Sequence, residues 1–388
     1  MESWKRKLRM GMVGGGQGAF IGWVHRFAAA LDQQIEMTAG CFSRDRENTK
    51  ITGKQLYLDP GRCYDTYQQM AEGEANLPVG KRIDFVAIVT PNVSHFDIAK
   101  TFLDAGIHVI CDKPMTYSIE QAAMLADLVE KTQLVFAVTY NYTGHPMVRH
   151  ARELFKSNQM GSVRKVMVEY LQDFLMFPHE KHGLKQAIWR VDPAQAGLGG
   201  ALGDAGTHAF NLVEYVVCDR IVEICADRST FLPDRQLDED VNILLRMAGG
   251  GKGVMSVSQI ATGEENALRL RAYASQGAIL WDQERPNRLK VYRYGEPRQV
   301  LTRGHSEYLS EAAGRCTRVP TGHPEGYLEA FATVYQGAVE AIRRHVDGVP
   351  MKTDECDFPT VRDGLRGMEL IAKAVESADA GSKWVSVP

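Results

Sequence analysis

The chain is poor in the features that would tie it to a metal, a membrane or a nucleic acid. Seven cysteines are scattered through 388 residues, and none forms a Cys-x-x-Cys pair. Cys218 and Cys225 have no histidine or cysteine nearby at ligand spacing, so no metal site is expected. All seven read as reduced, mostly buried thiols of a cytoplasmic protein. No stretch approaches the roughly 18 apolar residues of a membrane span. The opening MESWKRKLRM carries basic residues but no apolar run, so no signal peptide is expected. Neither sign of charge dominates, with 45 Lys+Arg against 48 Asp+Glu, which argues against a nucleic-acid partner. There is no internal repeat and no low-complexity tract.

What is present is ordinary globular material. At 44% hydrophobic and 24% charged, 388 residues can bury a full core without staples and divide into about two or three domains.

The stretch Leu8–Gly22, LRMGMVGGGQGAFIG, reads as a short apolar strand, a glycine-rich turn and the start of a helix running through Trp23–Leu31. Gly14-x-Gly16 followed by Ala19 or Gly22 approximates the dinucleotide fingerprint. One glycine permits the tight turn, the second lets backbone approach a pyrophosphate, and the third position lets helix pack on strand. The helix N-terminus then offers N–H groups and a positive dipole end to the phosphates. Candidate cofactor residues here are Gly14, Gly16, Gln17, Gly18, Ala19, Phe20 and Ile21.

Ile35–Ser43 reads as the second strand, and cofactor choice is made at its end. Ser43 and Arg44 stand there, and an arginine suits the 2′-phosphate of NADP better than the ribose diol of NAD. Asp45 is the diol partner if the register slips by two, and solvated loop charges are the ordinary reading of Arg44 and Arg46. The cofactor is therefore read as NAD(P), leaning to NADP. Ile83–Thr90 is an almost continuous apolar run, the mark of a strand buried on both faces of a parallel sheet. Thr90, Pro91 and Asn92 follow at its carboxyl edge, with His95 lining the cofactor or capping the next helix. Helix Ser94–Ala105, strand Ile107–Cys111, helix Ser118–Lys131 and strand Leu134–Tyr140 complete an alternation that predicts a doubly wound parallel sheet.

Past Asn141 the rhythm changes. A helix over Met147–Ser157 and a strand at Val163–Tyr170 precede a glycine-rich turn and long helix within Gly197–Val217. Alternating strands dominate from Ile221 to about Val300, with a hairpin at Gly249–Gly253. Asn287–Gly304 and Gly314–Gly326 read as loop, and helices Tyr327–Asp347 and Thr360–Ala380 close the chain. The expected division is residues 1–142, a dinucleotide-binding domain, and 143–388, a substrate and oligomerisation domain.

Three polar residues stand where a reacting substrate would need them. Lys113 follows a strand end in Cys111-Asp112-Lys113-Pro114. Asp204 and His208 lie four apart in GGALGDAGTH, and on a helix such side chains share a face. A carboxylate beside an imidazole fixes its tautomer and raises its basicity. Each has a plainer reading: a surface lysine, and a helix ion pair.

Taken together they resemble the Gfo/Idh/MocA oxidoreductases, the glucose–fructose oxidoreductase and inositol dehydrogenase group. The glycine turn, Cys111-Asp112-Lys113-Pro114 in place of Glu-Lys-Pro, GGALGDAGTH, the Trp189-Arg190 pair upstream of it and the final DGLRGMELIAKAVESADAGSKWVSV carry the resemblance across nearly the whole chain. It implies an N-terminal Rossmann domain and a C-terminal α/β domain built on a large open, mostly antiparallel sheet. It also implies NAD(P)-dependent chemistry at a carbinol carbon of a sugar, inositol or related polyol, with Lys113, Asp204 and His208 on the catalytic positions and Asp112 and Lys113 near the cofactor. Asp112 stands where the family has glutamate, and Asn141–Pro146 lacks an arginine often found after the asparagine.

In the mechanism this implies, His208, oriented by Asp204, takes the proton of a secondary hydroxyl while Lys113 stabilises the same oxygen. Candidate sugar contacts are Asn141, Tyr142, Trp189, Arg190, His323 and Tyr327, with core packing as the plain alternative for Trp189. A glycosidase that oxidises transiently and eliminates, and a non-catalytic sugar sensor, are the rival readings. Alternation such as LRLRAYAS predicts an apolar sheet face covered in a homodimer or homotetramer.

Overall fold

The computed structural model describes residues 6–388. Contacts divide the chain into two compact units. The first runs up to Asn141 and adds Phe331–Leu365; the second comprises Tyr142–Ala330 and Arg366–Pro388.

The first unit holds β1 (Leu8–Gly14), α1 (Phe20–Leu31), β2 (Ile35–Cys41), α2 (Arg46–Gln55), α3 (Tyr67–Ala75), β3 (Phe85–Val89), α4 (His95–Asp104), β4 (His108–Cys111), α5 (Ile119–Thr132) and β5 (Phe136–Val138). The strands form one parallel sheet in the order β2-β1-β3-β4-β5. Every residue of β3 is buried, as its unbroken apolar run requires of a strand covered on both faces. Winding reverses between β1 and β3, and open α/β sheets bind ligands at the carboxyl ends of the strands where this happens. The C-terminal segment returns to this unit: Val138 N–H donates to the Pro359 carbonyl, and Tyr335 is buried with its hydroxyl 2.8 Å from His25 Nδ1.

Helix α2 begins at Arg46, which the plain reading of its charge places in a loop. Its sequence, RENTKITGKQ, buries only Thr49, Thr52 and Gly53, so no apolar stripe announces it. What starts it is local: Asp45 is its N-cap and accepts the Glu47 N–H at 2.9 Å.

The second unit continues with α6 (Pro146–Lys156), β6 (Val163–Leu171), two short helices α7 (Lys185–Arg190) and α8 (Pro193–Ala196), and α9 (Thr207–Val217). There follow β7 (Ile221–Ser229), β8 (Asp240–Met247), β9 (Lys252–Ser258), β10 (Ala267–Ala274), β11 (Gly277–Asp282), β12 (Arg288–Arg293), β13 (Gln299–Thr302) and α10 (Glu311–Arg315). The chain ends with α11 (Tyr327–Val346), α12 (Val361–Asp379) and β14 (Val385–Ser386). The nine strands of this sheet run β13-β12-β11-β10-β6-β9-β8-β7-β14, and every pair is antiparallel except β6 with β9. The expected hairpin joins β8 to β9. Strand β13 lies in a stretch that reads as loop.

One face of this sheet packs against α6 and α9. Val166, Val168, Leu268, Leu270, Ala272, Ile279 and Trp281 fill that layer. The leucines of LRLRAYAS therefore point into the core, which corrects the expectation that they form the open face. What the open face carries instead follows from the register. One row runs Cys225–Leu244–Val254–Met167–Arg271–Leu280–Lys290–Val300, and the next runs Asp227–Asn242–Ser256–Glu169–Arg269–Asp282. A mixed apolar row thus lies beside a polar one in which Arg269 pairs with Glu169 and Asp282.

Candidate active site

At the carboxyl end of β1 the chain turns on Gly14, Gly15 and Gly18, all at positive φ. A Cβ at Gly22 would lie 2.4 Å from the Gly15 Cα, so Gly22 provides the close helix–strand approach. A Cβ at Gly16 would lie 2.4 Å from Asn48 Oδ1 and 2.9 Å from the Phe42 carbonyl, which keeps this backbone bare. The turn is docked on α2: Gln17 N–H is 3.0 Å from both Asn48 Oδ1 and Thr52 Oγ1, and Asn48 Nδ2 donates back to the Gln17 carbonyl. No side chain caps α1, whose N-cap is Ala19. The bare glycine turn and the uncapped helix end that follows it at Phe20 and Ile21 fit a dinucleotide pyrophosphate.

At the end of β2, Ser43 Oγ accepts the Asp45 N–H, and Arg46 pairs with Asp65 at 2.7 Å. The Asp45 carboxylate serves as a helix cap, while Arg44 is exposed. At the end of β3, the Ser94 hydroxyl lies 2.8 Å from both Thr90 Oγ1 and the Pro91 carbonyl, and Asn92 is buried. His95 neither caps its helix nor faces solvent; its buried ring bridges the Thr90 and Pro114 carbonyls at 2.7 and 2.9 Å, joining two sheet-edge loops. Burial lowers its pKa, against the opposing pull of Asp112. Asp112 Oδ1 accepts from the Lys113 N–H and from the Thr139 hydroxyl, which ties the backbone N–H of half-buried Lys113 to the segment after β5.

In the second unit Leu202–Gly206 is a π-helical turn running into α9, a local widening often found at functional sites. Asp204 lies in that turn and His208 on the first turn of α9. Asp238 fixes the approach, accepting the Gly200 and Leu202 N–H groups on its two oxygens. Asp204 Oδ2 accepts from Arg190 Nε at 3.0 Å and from Gln259 Nε2 at 2.9 Å. The Arg190 guanidinium also lies over the Trp189 ring at 4.4 Å, so Arg190 is engaged with Asp204 and covers one face of Trp189. The His208 ring is packed edge-on against Tyr142, 4.8 Å between centroids, and against Tyr170, 6.2 Å.

Tyr142 is buried rather than presented to a ligand. Tyr170 donates to Asn266 Oδ1 at 2.8 Å, and Asn266 Nδ2 donates to Tyr142 Oη at 3.3 Å. The Tyr142 proton therefore goes to Tyr170 Oη, 2.6 Å away, and the ring of bonds closes. Tyr327, at the start of α11, adds to the electrostatic surroundings of Tyr170. His323 is exposed in a loop that the buried Arg303 gathers by bonding to the Val319, Pro320 and His323 carbonyls and to Glu325. Asn141 is buried at the end of the first unit's main stretch. Lys113 belongs to the first unit, Asp204 and His208 to the second.

Sequence reasoning missed Asn48, Thr52, Tyr170, Gln172, Gln259 and Asn266. The available signals were faint: a lone glutamine ending the alternation MSVSQ, and another just past β6.

All seven cysteines are free, three of them buried, and no cluster of potential metal ligands occurs among the described residues. No helix there is long and apolar enough to cross a membrane.

Comparison with known proteins agrees with this architecture. Residues 8–140 match the oxidoreductase family model with an NAD-binding Rossmann fold, and residues 148–280 match the GFO/IDH/MocA C-terminal domain. The chain is 33% identical to the uncharacterized oxidoreductase YfiI of Bacillus subtilis over 98% of this chain and 97% of that protein. It is 25% identical to levoglucosan dehydrogenase of Pseudarthrobacter phenanthrenivorans, covering 99% of each. An inositol dehydrogenase homolog from Azotobacter vinelandii, solved with NAD+, superposes with a TM-score of 0.93 at 35% identity, covering 98% of this chain and 97% of that one. The same homolog with NADH and myo-inositol gives 0.90 at 33%, covering 98% of both. The chain belongs to the GFO/IDH/MocA family of NAD-binding oxidoreductases.

Proposed function

We propose that this enzyme oxidises a secondary hydroxyl of a neutral cyclic polyol, such as an inositol, a sugar or an anhydrosugar, or catalyses the reverse reduction. The observation that carries the reading is the setting of His208. An imidazole and a carboxylate anchored by Arg190 and Gln259 lie within one helical turn of each other; the Arg190 charge is paired with Asp204, and the tyrosine hydroxyls and amides beside them are uncharged, which matches hydroxyl-bearing substrates. The myo-inositol complex of the similar homolog supports it.

His208 takes the substrate proton, and Asp204 stabilises the charge that the imidazole then carries. Lys113 donates to the same substrate oxygen and stabilises the developing alkoxide. The nicotinamide, when bound, supplies the hydride chemistry. Gly14–Ile21 and Thr90–Asn92 hold the dinucleotide, and Asp112 fixes the lysine's backbone. Trp189 offers its free face to ring C–H groups, and Asn141, Arg190 and Tyr327 complete the polar lining. Tyr142 acts as a wall behind His208. His323, on an exposed loop, drops from the proposed contacts.

The test is a panel of inositols, sugars, glycosides and anhydrosugars with NAD+ and NADP+, read by absorbance of the reduced cofactor. Accumulation of reduced cofactor supports a dehydrogenase. Release of sugar from a glycoside with no net reduction supports the eliminating glycosidase instead.

The open face of the nine-stranded sheet leaves Leu244 48% and Val300 56% exposed beside a row of paired charges. A second copy laid on this face would bury the apolar row and complement the charges. The expected species at micromolar concentration is a dimer or tetramer by light scattering, and Leu244→Glu should dissociate it. A monomeric wild type contradicts the assignment.

A further inference from the structure

A continuous polar circuit runs beside His208, and one buried residue closes it. Gln259 follows β9 and is 1% exposed. Its backbone is fixed at both ends, the N–H donating to the Glu239 carbonyl at 2.9 Å and the carbonyl accepting the Leu175 N–H at 2.8 Å. Its side chain can therefore reach little but its present partners. Nε2 places one hydrogen on Asp204 Oδ2 at 2.9 Å and faces Gln172 Oε1 at 3.4 Å with the other. Gln172 Nε2 donates to Asn266 Oδ1 at 2.7 Å, and Asn266 belongs to the closed ring of bonds with Tyr142 and Tyr170. Those two tyrosines are the walls against which the His208 ring packs. The carboxylate and the imidazole are thus keyed to one network through a chain of amides.

We infer that Gln259 is a positioning residue: it fixes the Asp204 carboxylate and ties it, through Gln172 and Asn266, to the tyrosine pair that sets the His208 ring. This rests on the assignment of Asp204 and His208 as catalytic residues. The physics is simple. A donor on Oδ2 favours the ionised carboxylate, and a donor that is itself bonded elsewhere also fixes its direction. Arg190 supplies charge to the same oxygen, while Gln259 supplies the link to the wall.

Two nearly isosteric substitutions separate this role from simple packing. Gln259→Met keeps the length and removes both donors. Gln259→Glu keeps the length and makes the donor depend on pH. Protonated, the acid still donates to Asp204; ionised, it sets a second carboxylate against the first, and two carboxylates sharing a site raise one pKa strongly.

The experiment titrates the full-length protein with ¹³C-labelled histidine rings, the His208 resonance being identified by its loss in His208→Asn. The rate with myo-inositol and levoglucosan is followed over the same pH range. In Gln259→Glu, the His208 signal should show an extra inflection above the ordinary glutamate range of about 4.3. That inflection should be absent from wild type and Gln259→Met. The kcat of Gln259→Glu should lie within about 3-fold of wild type on the acid side and fall at least ~10-fold above it, the scale of lost acid–base assistance. Gln259→Met should be at least ~10-fold slow throughout, with NADH affinity by fluorescence within about 2-fold of wild type. Wild-type kcat in Gln259→Met, or no extra inflection in Gln259→Glu, overturns the inference. Undiminished turnover in His208→Asn would instead sink the catalytic assignment, and the ring resonance, which needs no substrate, still decides whether the network exists.

Discussion

At the scale of single residues, the proposed leaning to NADP turns on Arg44. The first carboxylate in the chain after β2, that of Asp45, is held as the cap of α2, while Arg44 is exposed. A guanidinium there pairs with a 2′-phosphate and gains nothing from a diol. Arg44→Ala should weaken NADPH binding by about 10-fold, the worth of one charge-assisted contact, and leave NADH within about 2-fold. Fluorescence titration with the two reduced cofactors checks this; equal losses for both would assign Arg44 to the solvated surface. The residues proposed to carry the chemistry were legible in the sequence because each sits at a marked position: Lys113 just past a buried strand, Asp204 and His208 behind paired glycines. The residues that hold them were not. Gln259 and Gln172 are single amides at strand ends, and their partners lie tens of residues away in the chain, so no local pattern reveals them.

At the scale of elements, the glycine turn is closely constrained by backbone contact. Alternation of apolar strands and amphipathic helices revealed the parallel sheet, because burial on both faces writes itself into composition. It did not reveal α2, which buries threonine and glycine and is held by its cap and by the bonds from Asn48 and Thr52 to the turn. Nor did it show which of Ala19 and Gly22 packs the helix on the strand. Backbone contact at Gly22 answers that: Gly22→Ala forces a Cβ to within 2.4 Å of the Gly15 Cα. The variant should lose about 1–3 kcal/mol, the range for an overpacked contact, and bind NADH more weakly. Gly22→Ala with wild-type stability in urea would mean the turn can yield. In the second unit, LRLRAYAS alternates correctly, but alternation alone does not say which side is the core. Packing by α6 and α9 settles it.

At the scale of the whole molecule, the buried histidines set the acid limit of stability. Burial pushes His25 and His150 down to about 4, and His108 and His145 down to about 3. The Nδ1 atoms of His108 and His150 accept backbone N–H bonds, which only an unprotonated nitrogen can do. The folded state thus stays neutral at these rings where the unfolded chain, with a pKa of about 6.5, takes up protons. Their contribution is whole above about pH 6.5 and is lost as pH falls from there toward 4 and 3, at about 1.4 kcal/mol per pH unit for each ring. The urea midpoint should therefore drop steeply between pH 7 and pH 5, and His145→Phe should flatten that drop by one proton's worth. A midpoint constant over this range would contradict it. The return of Phe331–Leu365 to the first unit also belongs to this scale. Nothing in the helical periodicity of α11 says which sheet its apolar stripe will meet, so the sequence offers no sign of it.

Lys113 and His208 are proposed to serve one substrate hydroxyl. That shared role is tested most directly by kcat for reduction of the preferred cofactor, using the best substrate of the polyol panel with wild type, Lys113→Ala and His208→Asn. Each substitution should lower kcat by at least ~10²-fold, the usual worth of acid–base assistance, with cofactor affinity retained. Turnover near wild type in either variant would contradict the account.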